Sequence, residues 1–211
     1  MLNVLVGLLV FKLCFMKTSK AVQEGLVAAV DVLHAGGVVM HPTETCYGFA
    51  VDVGNAEALE KLYKLKGRDA NKPVSIMVAD LEMAKKYGEF SPKALELAEK
   101  YWPGPLTILV PRSLNLPENF NKGQEFVGIR CPSHEFSREL VKAFGSPLTT
   151  TSANLSGEPP LYNAEVGGFG ELAKEIDLVI DGGEIPLNKP STIVKVVGGN
   201  VEVIRQGNLE I

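Results

Sequence analysis

Residues 191–206 read STIVKVVGGNVEVIRQ, two runs of alternating apolar residues parted by Gly198-Gly199-Asn200. Alternation marks half-buried strands, and the glycines accept the positive φ that a tight reversal needs, so the stretch predicts an antiparallel hairpin. That hairpin decides the fold class. Upstream of it, strand-like and helix-like runs alternate, which by itself predicts parallel strands joined by crossover helices. The hairpin adds antiparallel pairing. The expectation is therefore an α/β domain on a twisted mixed sheet flanked by helices.

Working outward from the hairpin towards the N-terminus, DLVID (177–181) is a strand, and residues 164–176 are weakly helical because Gly167, Gly168 and Gly170 are costly to order. PLTTTSAN (147–154) is a strand entering a loop. Ser133 is expected to cap a helix bearing Phe136, Leu140, Val141 and Phe144. FVGIRCP (126–132) and LTILVP (106–111) are strands. Ser91-Pro92 opens a helix striped by Leu95, Ala98 and Trp102, and a short helix follows Asp80. PVSIMVA (73–79) is a strand. Asn55 caps a helix carrying Ala58, Leu59, Leu62 and Leu65 that stops at Gly67. GFAVDV (48–53) and GVVMHPTET (37–45) are strands, the second running into a loop. The first helix starts at Ser19, repeats apolar residues at Val22, Leu26, Ala29, Val30 and Leu33, and stops at Gly36 or Gly37.

Met1–Phe15 is an apolar run broken by Lys12, too short to span a bilayer comfortably and lacking a basic leading region and a small-residue cleavage site. It reads as an N-terminal extension, either ahead of a true start at Met16 or as a buried or added strand. Residues 16–211 then form a single domain. A net charge of -4 disfavours a long phosphate backbone as the main ligand but leaves room for a local basic pocket. Cys14, Cys46 and Cys131 have neither disulfide nor metal spacing, which points to a reducing cytoplasm.

Four polar loops gather where strands end, the place where open α/β sheets bind ligands. In Lys66-Gly67-Arg68, with Lys72 four residues on, an ammonium and a guanidinium suit a polyphosphate. The same residues also suit an ordinary helix C-terminus. Thr151, Ser152, Asn154 and Ser156 form a dense uncharged donor and acceptor set, fit for a ligand or for a capped turn. Thr45 and Tyr47, two residues apart in an extended segment, face one side. Arg130-Cys131-Pro132 is the fourth. There is no Walker-type phosphate loop, dinucleotide fingerprint or serine-hydrolase elbow, and His34, His41 and His134 show no metal spacing.

The ordered series HPTETCYG (41–48), KLKGRDANKP (64–73), WPGPLTILVP (102–111), VGIRCPSH (127–134), TTTSANLSG (149–157), DLVIDGG (177–183), PSTIVKV (190–196) and VIRQG (203–207) resembles the YrdC-like threonylcarbamoyl-AMP synthases. The resemblance implies a YrdC-like fold with a concave, positively lined ligand cavity, and residues 16–211 as its catalytic domain. It implies an enzyme, a nucleotidyltransferase joining L-threonine, bicarbonate and ATP into L-threonylcarbamoyladenylate with release of pyrophosphate. Mg²⁺ accompanies the ATP, and the product serves threonylcarbamoyladenosine modification of tRNA. Lys66 and Arg68 are then the catalytic pair that hold ATP phosphates, with Lys72, Asn154 and Arg205 completing the nucleotide side. Thr45, Arg130, Ser152 and Ser191 receive the threonine, Arg130 taking its carboxylate. No metal site of the protein's own is implied. Partners beyond the substrates are tRNA or a tRNA-modifying transferase complex, with no membrane. The sequence departs from the family's pattern at Cys46, where Val is commoner, and at Asp69, where Pro is commoner. An RNA-binding module without catalysis is the alternative, and a carbamoyl-phosphate-using relative is a second.

Overall fold

A computed structural model describes residues 2–5, 8–12, 19–69 and 72–211. In chain order the elements begin β1 (Leu2–Leu5), β2 (Leu8–Lys12), α1 (Ser19–His34), β3 (Val39–Pro42), β4 (Tyr47–Ala50) and α2 (Ala56–Lys66). Next come β5 (Ser75–Met77), α3 (Leu81–Tyr87), α4 (Pro92–Tyr101), β6 (Leu106–Pro111), β7 (Phe126–Arg130) and α5 (Glu135–Phe144). The chain closes with β8 (Leu148–Ser152), a 3-10 segment η1 (Gly167–Glu175), β9 (Leu178–Asp181), β10 (Thr192–Val197) and β11 (Asn200–Arg205). Two stretches of the apolar N-terminal run are thus strands; the expected start at Met16 lies outside the described residues.

The strands lie in the order β1-β2-β9-β3-β4-β8-β5-β7-β6-β10-β11. The sheet is mixed, as the sequence predicts. Parallel pairs such as β5 with β7 and β6 with β10 alternate with antiparallel ones such as β3 with β4 and β6 with β7. The β10–β11 hairpin closes at Val197 and Asn200, with Gly198 and Gly199 at φ 58 and 85.

Side chains of the central strands are buried on both faces, and neighbours join opposite core clusters because they leave opposite faces. Val39, Ala50, Met77, Leu178 and Ile180 pack under α1 and α5, whereas Met40, Phe49, Ile76 and Val179 belong to the cluster holding Leu59 and Leu62 of α2 and Leu97 of α4. The helix ends follow their capping residues. Asn55 Oδ1 accepts from Ala58 N at 3.0 Å, Asp80 Oδ1 from Met83 N at 2.7 Å and Ser91 Oγ from Ala94 N at 3.3 Å. Gly67 ends α2 in the left-handed region at φ 53. Two expectations are corrected. His134, not Ser133, precedes α5 and makes no side-chain cap, its backbone N–H pointing instead to Glu44 Oε2 at 3.4 Å. Trp102 follows α4 rather than striping it, and its ring N–H donates to the Leu106 carbonyl at 2.8 Å.

β8 positions the site because it changes partner midway. Leu148, Thr149 and Thr150 pair with β5, while Thr151 and Ser152 pair with β4. At the other end, Thr192 ties the C-terminal residues to β10: its hydroxyl accepts from Gly207 N and Leu209 N and donates to the Leu209 carbonyl.

A Cβ at position 207 would collide with the backbone of Pro190, Ser191 and Thr192, none of which can rotate away. Gly207→Ala should therefore lose about 1–3 kcal/mol in urea unfolding; an unchanged midpoint would contradict this packing. A second prediction concerns acid. Burial lowers the His41 imidazole from 6.5 to about 4, so it folds neutral, its Nδ1 3.1 Å from Ser137 Oγ. A group depressed in this way contributes stability above its unfolded pKa that is lost as pH falls through the folded value, about 3 kcal/mol between pH 7 and 4. Glu44, also held low, adds to the loss in the same direction. His41→Gln should flatten the acid limb of stability against pH, and a wild-type limb already flat to pH 4 would be inconsistent with a buried neutral His41.

Candidate functional site

Six of the nine residues singled out in the sequence line one pocket of about 400 Å³: Thr45, Arg68, Arg130, Ser152, Ser191 and Arg205. Thr45 follows β3, Arg130 ends β7 and Ser152 ends β8, so all three stand at carboxyl ends of strands. Ser191 precedes β10 and Arg205 ends β11, and the hairpin returns both to the same place. Thr150, Thr151 and Ser152, where β8 changes partner, form part of the wall.

Arg130 is the most deeply set charge in the pocket, only 7% exposed. A buried guanidinium requires an opposite charge, and Glu44 Oε1 lies 2.8 Å from Nη2. The same Nη2 donates to Thr45 Oγ1 at 3.0 Å. Burial alone would raise the Glu44 carboxyl, but the Arg130 charge and hydrogen bond outweigh it and hold the group below the usual carboxylate range. Arg130 Nε is buried and has no hydrogen-bond partner.

On the facing side, Arg205 Nε and Nη2 donate to the Ser191 carbonyl at 3.1 and 2.8 Å, and Nη2 reaches Ser191 Oγ at 3.0 Å. Ser191 Oγ is in turn 3.0 Å from Thr107 Oγ1. Arg68 Nη2 donates to the Pro73 carbonyl at 2.8 Å, while its Nε is buried without a partner. The wall thus offers three guanidiniums and several hydroxyls, and among its described residues no Asp or Glu. Such a lining suits an anion with many oxygens.

Lys66, Asn154 and Lys72 do not line the pocket. Lys66 is 2% exposed and turned into the protein, Asn154 lies behind the wall in contact with it, and Lys72 is exposed. Sequence reasoning in turn missed Thr107, Tyr162 and Asn188 of the wall, and the Glu44 partner of Arg130. Thr107 sits inside an apolar strand where nothing marks it as polar lining. Glu44 carried a signal, being the one acid in a loop of hydroxyls.

Cys46 lies in the wall, and burial raises its thiol; burial likewise pushes Cys131 up to about 11. Both stay protonated near neutrality and are poor nucleophiles. Among the described residues no His, Cys, Asp and Glu cluster is arranged to hold a metal, and no helix is long and apolar enough to cross a membrane.

The Sua5–YciO–YrdC family model, described as telomere recombination, matches residues 31–207. A Mus musculus protein named threonylcarbamoyl-AMP synthase is 38% identical over 191 residues, covering 87% of this chain and 67% of the relative. A Thiobacillus denitrificans protein of the same name is 34% identical over 189 residues, 88% of this chain and 96% of the relative. The structure of Pyrococcus abyssi Sua5 complexed with L-threonine superimposes with a TM-score of 0.81 at 29% identity, over 94% of this chain. The chain spans 57% of that longer protein. The match runs from within α1 to the second residue after the closing hairpin, and it takes in every strand that contributes to the pocket: the chain belongs to the Sua5–YciO–YrdC family.

Proposed function

We propose that this chain is a threonylcarbamoyl-AMP synthase, making L-threonylcarbamoyladenylate and pyrophosphate from L-threonine, bicarbonate and ATP. One observation carries the reading: Arg68, Arg130 and Arg205 converge on a pocket whose described lining has no carboxylate. Residues 16–211 act as a single catalytic domain.

In this reading Arg130 receives the threonine carboxylate through its guanidinium, with the Thr45, Ser152 and Ser191 hydroxyls beside it. Arg68 and Arg205 hold the ATP phosphates. Threonine's amine joins bicarbonate to give a carbamate and water. A carbamate oxygen then attacks the α-phosphorus, and the bond to the bridging oxygen breaks to release pyrophosphate. The protein's part is alignment and charge: the carbamate and the polyphosphate are both anions, and the arginines offset their repulsion. Mg²⁺ enters as part of the MgATP substrate, which fits a wall of cations and hydroxyls better than a resident metal would.

The product is an activated group for tRNA modification, handed to tRNA or to a tRNA-modifying transferase complex in the cytoplasm. A pocket of small-molecule size and a net charge of -4 support this over a module that binds RNA by its backbone.

Pyrophosphate release from MgATP and bicarbonate should depend on L-threonine and fall when serine replaces it; release at full rate without either would remove the reading. Arg130→Lys keeps the charge but loses the planar fork, so kcat/KM for threonine should drop on the order of tenfold to a hundredfold while KM for ATP moves little. Arg68→Ala should instead act on ATP, at about a hundredfold in turnover.

A further inference from the structure

Lys66 stands two residues before Arg68, yet the two side chains do different things. Its Nζ donates to the Ser152 carbonyl at 2.5 Å, the Asn154 carbonyl at 3.0 Å and Asn154 Oδ1 at 2.9 Å. An ammonium has three protons, and these three acceptors use them all. The backbone of the same residue adds a fourth tie, its carbonyl accepting from Ser156 N at 2.8 Å. Ser152 Oγ donates to the same Asn154 Oδ1 at 2.7 Å. Three oxygens from one loop therefore converge on a single point. Without a cation there the three would repel one another, and the two backbone carbonyls would lose their ammonium donor.

Arg68, by contrast, lines the pocket and keeps a buried Nε free. For Lys66 to reach a phosphate it would have to give up its bonds to the Ser152 and Asn154 carbonyls and leave Asn154 Oδ1 with the Ser152 hydroxyl alone. Burial, then the Arg68 charge, lower its ammonium to about 8, which leaves it mostly charged at neutral pH and able to serve all three acceptors. Ser152, whose carbonyl it grips, is a wall residue.

We propose that Lys66 is a positioning residue: it clamps the Ser152–Asn154 loop from behind so that Ser152 faces the ligand, and it does not touch the nucleotide phosphates. The functional half of this rests on the adenylate-synthase reading; the clamp itself does not.

Two measurements test it. The first uses the wild-type protein, with amine acetylation read residue by residue by mass spectrometry. The clamp predicts that Lys66 is acetylated at least about tenfold more slowly than exposed Lys64, with ATP or without it, because labelling waits on local opening. Ready labelling that ATP suppresses would overturn the clamp, whether or not any variant folds. The second compares Lys66→Met with Arg68→Ala in binding AMP and ATP, in protein whose folded state is verified by circular dichroism. A displaced wall should weaken AMP and ATP by the same factor, on the order of tenfold, and raise KM for L-threonine more than it lowers kcat. Arg68→Ala should weaken ATP well beyond AMP. If Lys66→Met shows that same excess loss for ATP, Lys66 meets the phosphates and the proposal fails. Should wild-type protein bind neither nucleotide, the synthase reading fails while the acetylation result still decides the clamp.

Discussion

A guanidinium taken out of water at the end of a central strand must be met by opposite charge, and the 2.8 Å contact between Arg130 and Glu44 meets that demand across 86 residues of chain. The pair fixes the loop after β3 against β7. Thr45 is drawn in by the same Nη2, and the Glu44 backbone carbonyl accepts from Asn188 at 3.1 Å, so a third segment is fastened to the same point. Removing one member of such a pair would leave the other charge buried and alone. The most buried charge of the pocket wall is therefore also one that the fold itself must neutralise.

The rest of the site follows from the sheet. β8 pairs with β5 along its first half and with β4 along its second, and the wall forms where that exchange happens. The β10–β11 hairpin brings Ser191 and Arg205 together in the wall with Arg130, and Thr192 with Gly207 locks the same open end of the hairpin. Cations reach the pocket from three separate segments, and none of the wall's described residues is an acid. The chain as a whole carries a net charge of -4, so the positive character is local, as a small anionic ligand requires and a long nucleic-acid track would not.

Much of this was legible in the sequence because its signals are local. The hairpin glycines, the Asn55, Asp80 and Ser91 caps and the alternating strands each depend on a few neighbouring residues, and each appears where the pattern places it. Thr45, Arg68, Arg130, Ser152, Ser191 and Arg205 were recoverable through their motifs. What failed was direction. Lys66 and Arg68 look equivalent on paper, but Gly67 takes the left-handed turn that ends α2 between them, and one side chain goes inward while the other lines the pocket. Ser133 does not cap α5, because the helix starts one residue later, after His134, whose own N–H points to Glu44 Oε2 from far along the chain. Thr107 gave no signal because polar lining inside an apolar strand is defined only by what faces it.

The central claim is that one arginine-lined pocket joins three substrates. Its most direct test is to supply ¹³C-bicarbonate, L-threonine and MgATP and to identify the product by mass spectrometry. A single species carrying the label, the threonine and the adenylate together is the predicted result. ATP consumption that yields no labelled threonine adduct of AMP would contradict the account.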